Sequence, residues 1–312
     1  MDGERHGPGP GRAYVPWLLL LAALWGASFM FIKIAVDEIE PTPMMGVRLI
    51  LAGAILLTIL VARVGFRAAA EEVRAAGYGA VLLGVINGAV PFTLIAWGEK
   101  HVDSGIAGIA NASVPIFVTL LALRFNATER ATGLRLVGII LGILGVAVLT
   151  GLHPEGNWWT VAGTLAVVVA SFSYACASLY TQHRFSDTAP LVVAGASTAA
   201  GGVLLLPLAA LQMPGDVPSW EALGSVAALT VIGTVTGVLV FFRMLAVYGA
   251  SRTSLVTYLL PPFAVFYGVA LLGEPLTLNA VLGLVFILAG VALGSGVVRL
   301  PRRHPLPATP RA

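Results

Sequence analysis

Thirty-three formal charges in 312 residues are spaced so that ten long stretches carry none: 13–32, 49–62, 75–98, 104–123, 136–154, 156–183, 188–215, 222–242, 253–273 and 275–298. Nine of the ten have 19 residues or more, enough to cross about 30 Å of hydrocarbon at about 1.5 Å per helical residue. Backbone groups in lipid must be satisfied internally, which leaves helices or a closed barrel. The stretches show no apolar/polar alternation and are about twice as long as a barrel strand, so helices remain. The stretch 49–62 is short only because Arg48 interrupts it. Its apolar pattern begins near Met44, after Pro41-Thr42-Pro43, which gives a spanning helix with an arginine near one end.

Composition excludes a water-exposed globule. Charged residues are 11% of the chain and hydrophobic ones 58%, against about a quarter charged in soluble proteins. The 36 glycines suit helices that approach closely in a bilayer. The single cysteine, Cys176, excludes an internal disulfide, a cysteine-rich zinc site and an iron–sulfur cluster; no cofactor and no nucleic-acid partner are expected. Connections are too short to hide a soluble domain, and the tails 1–15 and 299–312 are rich in Pro or Gly, the second strongly basic. Arg5 and Arg12 before an apolar run imitate a signal peptide, but the run is long and lacks a small-x-small exit, so it is read as retained.

Lys and Arg set the orientation. With ten alternating helices and a cytoplasmic N-terminus, fifteen of the eighteen basic residues fall inside; only Lys33, Arg48 and Lys100 fall outside. A wrong helix count would scramble this asymmetry. The expected protein is multi-pass in a bacterial plasma membrane, with both termini cytoplasmic.

An internal repeat adds to this. ERATGLRLVGIILGILGVAVL at 129–149 lies on EPLTLNAVLGLVFILAGVALG at 274–294 with an offset of 145, matching Glu129 with Glu274, Thr132 with Thr277, Gly138 with Gly283 and Gly145 with Gly290. One inserted residue also brings Pro115 onto Pro261. Five helices in each copy force the copies to run in opposite directions. The fold expected is therefore all-α, ten transmembrane helices in two inverted five-helix repeats, 16–151 and 156–298. Such repeats characterise transporters with a midplane site.

The phrases LLGEPLTLNAVLGLVFILAGVAL, FFRMLAVYGASRTSL and LWGASF, the last followed by a helix containing Arg48, resemble the EamA-type domains of the drug/metabolite transporter superfamily. The resemblance covers about residues 16–297. It implies a ten-helix inner-membrane carrier, with relatives that export amino acids, other metabolites or drugs. Arg124-Phe125-Asn126-Ala127-Thr128 departs from the pattern, standing where apolar residues and a Gly usually precede the Glu.

Candidate site residues follow from what is costly in lipid. Proline in a helix frees the carbonyl four residues back and bends the axis. Pro91, Pro115, Pro261 and Pro262 thereby free the carbonyls of Asn87, Asn111, Thr257 and Tyr258, each also bearing a polar side chain. These four either line a central cavity or patch the kinks from within. Trp25 and Ser28 in the first helix and Tyr174 in the sixth need polar partners at depth, which a cavity would supply. Thr230, Thr234 and Phe241 could share that face, with Gly233 and Gly237 read as a helix contact. Arg48 is read as structural, paired with an acid such as Asp37; meeting a substrate carboxylate is the alternative. Glu129 and Glu274 are read as structural groups at helix ends, Glu274 as the cap of the helix it precedes. Glu99, His101 and Asp103 are read as outer-loop residues, so no carboxylate is expected in mid-span and facilitated diffusion or exchange is favoured over a proton relay.

The function expected is secondary transport or export of small metabolites, amino acids or related polar solutes and conceivably drugs, by alternating access. A multidrug exporter with proton exchange, a channel and a non-transporting membrane partner are the alternatives. An enzyme is disfavoured: His101, His153 and His183 stand in separate loops, and no Gly-x-Ser-x-Gly step is present. No phosphate-binding Gly-Lys-Ser/Thr loop supports an ATP-driven pump. Partners are the bilayer and a small solute; monomer and homodimer are not distinguished.

Overall fold

The computed structural model describes residues 14–125, 134–150 and 158–294. Among them all regular structure is helical. The first half contains α1 (Tyr14–Val36), α2 (Pro41–Val64), α3 (Phe66–Gly84), α4 (Val90–Glu99), α5 (Ser104–Asn111), α6 (Val114–Phe125) and α7 (Leu134–Thr150). The second contains α8 (Trp158–Arg184), α9 (Pro190–Ala210), α10 (Trp220–Ala228), α11 (Gly237–Tyr248), α12 (Ala250–Thr253), α13 (Val256–Leu272) and α14 (Leu278–Gly294). Seven continuous helical runs are long and apolar enough to cross a membrane, and Leu136–Leu149, Val256–Leu272 and Leu278–Leu293 are shorter apolar helices. Glu129 and the tails 1–13 and 295–312 lie outside the described residues.

The third and eighth charge-free stretches are not plain α-helices. Stretches of π-helix, Val85–Ala89 and Leu229–Thr236, join α3 to α4 and α10 to α11. In the first, Pro91 stands in the opening turn of α4, and the wider π turn takes up the missing N–H and the crowding of the proline ring. In the second, the Thr234 hydroxyl reaches back five residues to the Leu229 carbonyl at 3.1 Å. The fourth stretch breaks at Ala112 and Ser113, just before Pro115. Gly77, at φ 49° and ψ −137°, interrupts α3. Before it, 66–76 exposes Arg67, Glu71, Glu72 and Arg74 and buries Ala69 and Ala76, an amphipathic stretch of helix.

Small residues draw the helices together. α2 lies along α9 and α7 along α14 over their lengths. A side chain on Gly53 would fall 2.6 Å from the Ala199 backbone, and one on Gly290 2.6 Å from the Gly142 nitrogen. Without a hydrophobic difference between lipid and side chain, such close backbone packing holds the bundle. α1 packs against α13, and α8 against α4 and α6.

The turns at one end of the bundle are tied together. Glu38, after α1, accepts from the Ser219 backbone N–H and hydroxyl, both at 2.6 Å. Lys100 pairs with Glu40 at 2.7 Å, and His101 stacks on Trp159 with centroids 5.1 Å apart. Glu274 corrects its expected role: its carboxylate caps α5 in the other half instead of its own α14. It accepts from the backbone N–H of Ser104 (2.7 Å) and Gly105 (3.1 Å) and from the Ser104 hydroxyl (2.9 Å), where the positive helix end favours an anion.

Candidate functional site

A cavity of about 420 Å³ opens between the halves. Its wall takes residues from α1, α2, both π segments, α4, α8, α9, α11 and α13, and from the break between α5 and α6. Trp25, Ser28, Asn87, Asn111, Tyr174 and Thr257 all stand on this wall. Tyr258 does not: its hydroxyl donates to the Val291 carbonyl of α14 at 3.2 Å. Adjacent helical positions point about 100° apart, and here Thr257 faces the cavity while Tyr258 turns to α14. Thr234 and Phe241 line the cavity, whereas Thr230 is buried and bonds the Val226 carbonyl at 2.8 Å.

The expected kink chemistry is partly patched from inside. Ser171 on α8 lies 3.4 Å from the Asn111 side-chain oxygen and 3.5 Å from its carbonyl. Ser173 donates to the Ile86 carbonyl of the first π segment at 2.7 Å. The Thr257 hydroxyl bonds the Ser254 carbonyl at 2.8 Å. Pro91 and Pro115 mark helix starts rather than bends within a helix, while Pro261 and Pro262 lie inside α13.

Arg48 differs most from its expected surroundings. It is not paired with Asp37 or with any acid among the described residues. It is 5% exposed and, among the described residues, is the one charged residue on the cavity wall. Its Nε donates to the Thr234 hydroxyl at 2.9 Å, one nitrogen faces the Met45 sulfur at 3.7 Å, and its guanidinium carbon sits 4.1 Å above the Phe92 ring. Because α2 packs tightly on α9, the arginine face turns inward, and the second π segment brings Thr234 to meet it.

The glycines of that segment make room for polar side chains as well as for a helix. A methyl group on Gly233 would sit 2.6 Å from the Ser28 hydroxyl oxygen and 3.7 Å from an Arg48 terminal nitrogen. One on Gly237 would collide with the Trp25 indole nitrogen. Trp25 in turn packs on Phe241 with centroids 5.5 Å apart. Phe92, Ser197 and Thr198 complete this part of the wall and carry no local signal beyond polarity or aromaticity at depth.

Glu99, expected in a loop, is the last residue of α4 and is fully buried, and neither carboxylate oxygen has a hydrogen-bond partner among the described residues. The Lys33 ammonium beside it donates to the carbonyls of Glu99 (2.7 Å) and Val102 (2.9 Å). The cluster of charges around residue 100 looks like a solvated loop in sequence, yet the chain stays helical through Glu99 and then turns back against α1. Burial, then the neighbouring Lys100 and Lys33, hold the His101 pKa below its usual value, and the two Ser219 hydrogen bonds hold that of Glu38 below the carboxylate range.

A multi-pass helical bundle whose halves enclose a cavity with polar groups set in a mostly apolar wall, its turns tied together at one end, has the build of a membrane transporter. The sequence profile of the EamA-like transporter family matches residues 12–151 and 161–296, and the chain belongs to that family. It is 27% identical to an uncharacterized transporter of Archaeoglobus fulgidus over 88% of this chain and 95% of that one. It is 29% identical to the uncharacterized inner membrane transporter YedA of Escherichia coli K12, over 88% of each chain. A Salmonella typhimurium protein named a probable amino-acid metabolite efflux pump is 25% identical, over 88% of this chain and 91% of that one. A solved crystal structure shares the fold with a TM-score of 0.63 at 17% identity, covering 91% of this chain and 97% of its own.

Proposed function

We propose that the protein carries a small polar metabolite across the inner membrane by alternating access, its ten helices forming two inverted five-helix repeats. The observation that carries this reading is the cavity between the halves, with polar groups set in a mostly apolar wall and one tied end. The halves also repeat each other in their contacts: α1 lies on α13 as α8 lies on α6, and the third span of each half packs on the first span of the other. Adding 145 to Val85–Ala89 gives 230–234, inside the π segment Leu229–Thr236. The same shift takes Ser28, which faces Gly233, to Ser173, which bonds Ile86.

Arg63, Arg67, Arg74, Arg184, Arg243 and Arg252 lie toward the end opposite the tied turns, which supports a cytoplasmic assignment of that end and of both termini. Cavity residues Thr181 and Thr257 stand on the last turn of α8 and the first turn of α13, close to that basic end. The conformation is accordingly inward-facing, closed outside. The test is counterflow in proteoliposomes. Preloading with unlabelled amino acids should accelerate entry of the labelled solute, with saturation. Flux linear in concentration and indifferent to preloading would identify a pore instead.

A further inference from the structure

We infer that the cavity recognises its solute through a carboxylate, seated on the Arg48 guanidinium beside Ser28 and Trp25. This rests on the carrier reading above and names the chemical class its site takes. A guanidinium offers five N–H donors and no acceptor, and a buried charge is tolerated only when it is compensated. Here the compensation is incomplete. Thr234 takes one donor at 2.9 Å, the Met45 sulfur is a weak acceptor, and the Phe92 face supplies an attraction that leaves the positive charge in place. No carboxylate stands on the cavity wall among the described residues.

The neighbouring groups point to the same ligand. Gly233 leaves space that the Ser28 hydroxyl and an Arg48 terminal nitrogen share, and Gly237, four residues on, leaves space for the Trp25 indole nitrogen. The two nitrogens only donate; the Ser28 hydroxyl, which here donates to the Leu24 carbonyl at 3.3 Å, would have to turn from that carbonyl to a bound anion. The fixed positive charge of Arg48, with the Trp25 indole N–H and the Ser28 hydroxyl near it, forms a seat for an anion. The planar fork of arginine matches the two oxygens of a carboxylate. The volume of about 420 Å³ admits a small molecule, and rings such as Phe92 and Phe241 would cover its apolar part. A cationic solute meets a fixed like charge and no acidic wall residue, so cations are disfavoured.

The probes are three matched series: free L-leucine and L-phenylalanine, their amides, and the corresponding amines without the carboxylate. Binding is read by thermal shift and calorimetry on the detergent-purified full chain at neutral pH. The acids should bind at least about tenfold more tightly than either other series. A charge-assisted hydrogen bond is worth about 1.5–3 kcal/mol, and 1.4 kcal/mol is tenfold. Arg48→Gln should lose acid binding by at least the same factor. Arg48→Lys should weaken it less, because charge remains without the fork, and Trp25→Phe should weaken it several-fold. These two variants carry the test if Arg48→Gln does not accumulate. Equal binding of amides or amines, binding by none of the three series, or acid affinity unchanged in Arg48→Lys and Trp25→Phe would each overturn the proposal. Acid binding that depends on Arg48 without counterflow would instead sink the carrier reading and leave the carboxylate seat standing.

Discussion

Polar residues within lipid were the legible part of the site at the level of single residues. Trp25, Ser28, Asn87, Asn111, Tyr174 and Thr257 stand out in sequence because each is costly at depth without a partner, and the structure sets all six around one cavity. Which way Arg48 turns was not legible, because it depends on how α2 rotates against α9 and on a π segment in the other half. Glu99 was hidden for the opposite reason: its charged neighbours resemble a loop, and only the fold shows it closed off from water. With both oxygens unpartnered, its polar atoms should cost about 1–3 kcal/mol. Glu99→Met fills a similar volume without polar atoms and is expected to raise the melting temperature of the purified protein. A clear fall would show that Lys33 and the Glu99 carboxylate stabilise each other.

Helices as elements follow from charge-free length, while their interruptions do not. A π segment widens the hydrogen-bond ladder and has no compositional mark. Pro91 hints at the first one, and nothing local hints at the second. The reach of Glu274 was equally invisible: a carboxylate before Pro275 reads as a cap for α14, yet it neutralises the start of α5 from across the molecule. Glu274→Gln keeps one acceptor but removes the charge facing that helix end. It is expected to cost about 0.5–2 kcal/mol, seen as a lower melting temperature and faster amide exchange at Ser104 and Gly105. Unchanged exchange at those two positions would show that the cap contributes nothing.

For the molecule as a whole, the repeat offset of 145 was readable because the same glycines recur. Gly145 and Gly290 each stand where α7 and α14 come too close for a side chain. The closed state of one end was not readable, since it consists of contacts between distant turns: Glu38 with Ser219, His101 with Trp159, and Glu274 with Ser104. Those contacts join the first half to the second. A carrier that works by rocking must break them once in every cycle, whereas a pore has no need to.

Cross-linking tests this most directly. With Cys176→Ser as background, Glu38→Cys and Ser219→Cys can be bridged by a short bifunctional thiol reagent in proteoliposomes. Alternating access predicts that the bridge abolishes counterflow, that the single-cysteine proteins keep it under the same reagent, and that bridged protein still binds solute from the basic end. Full counterflow through quantitatively bridged protein would contradict the account.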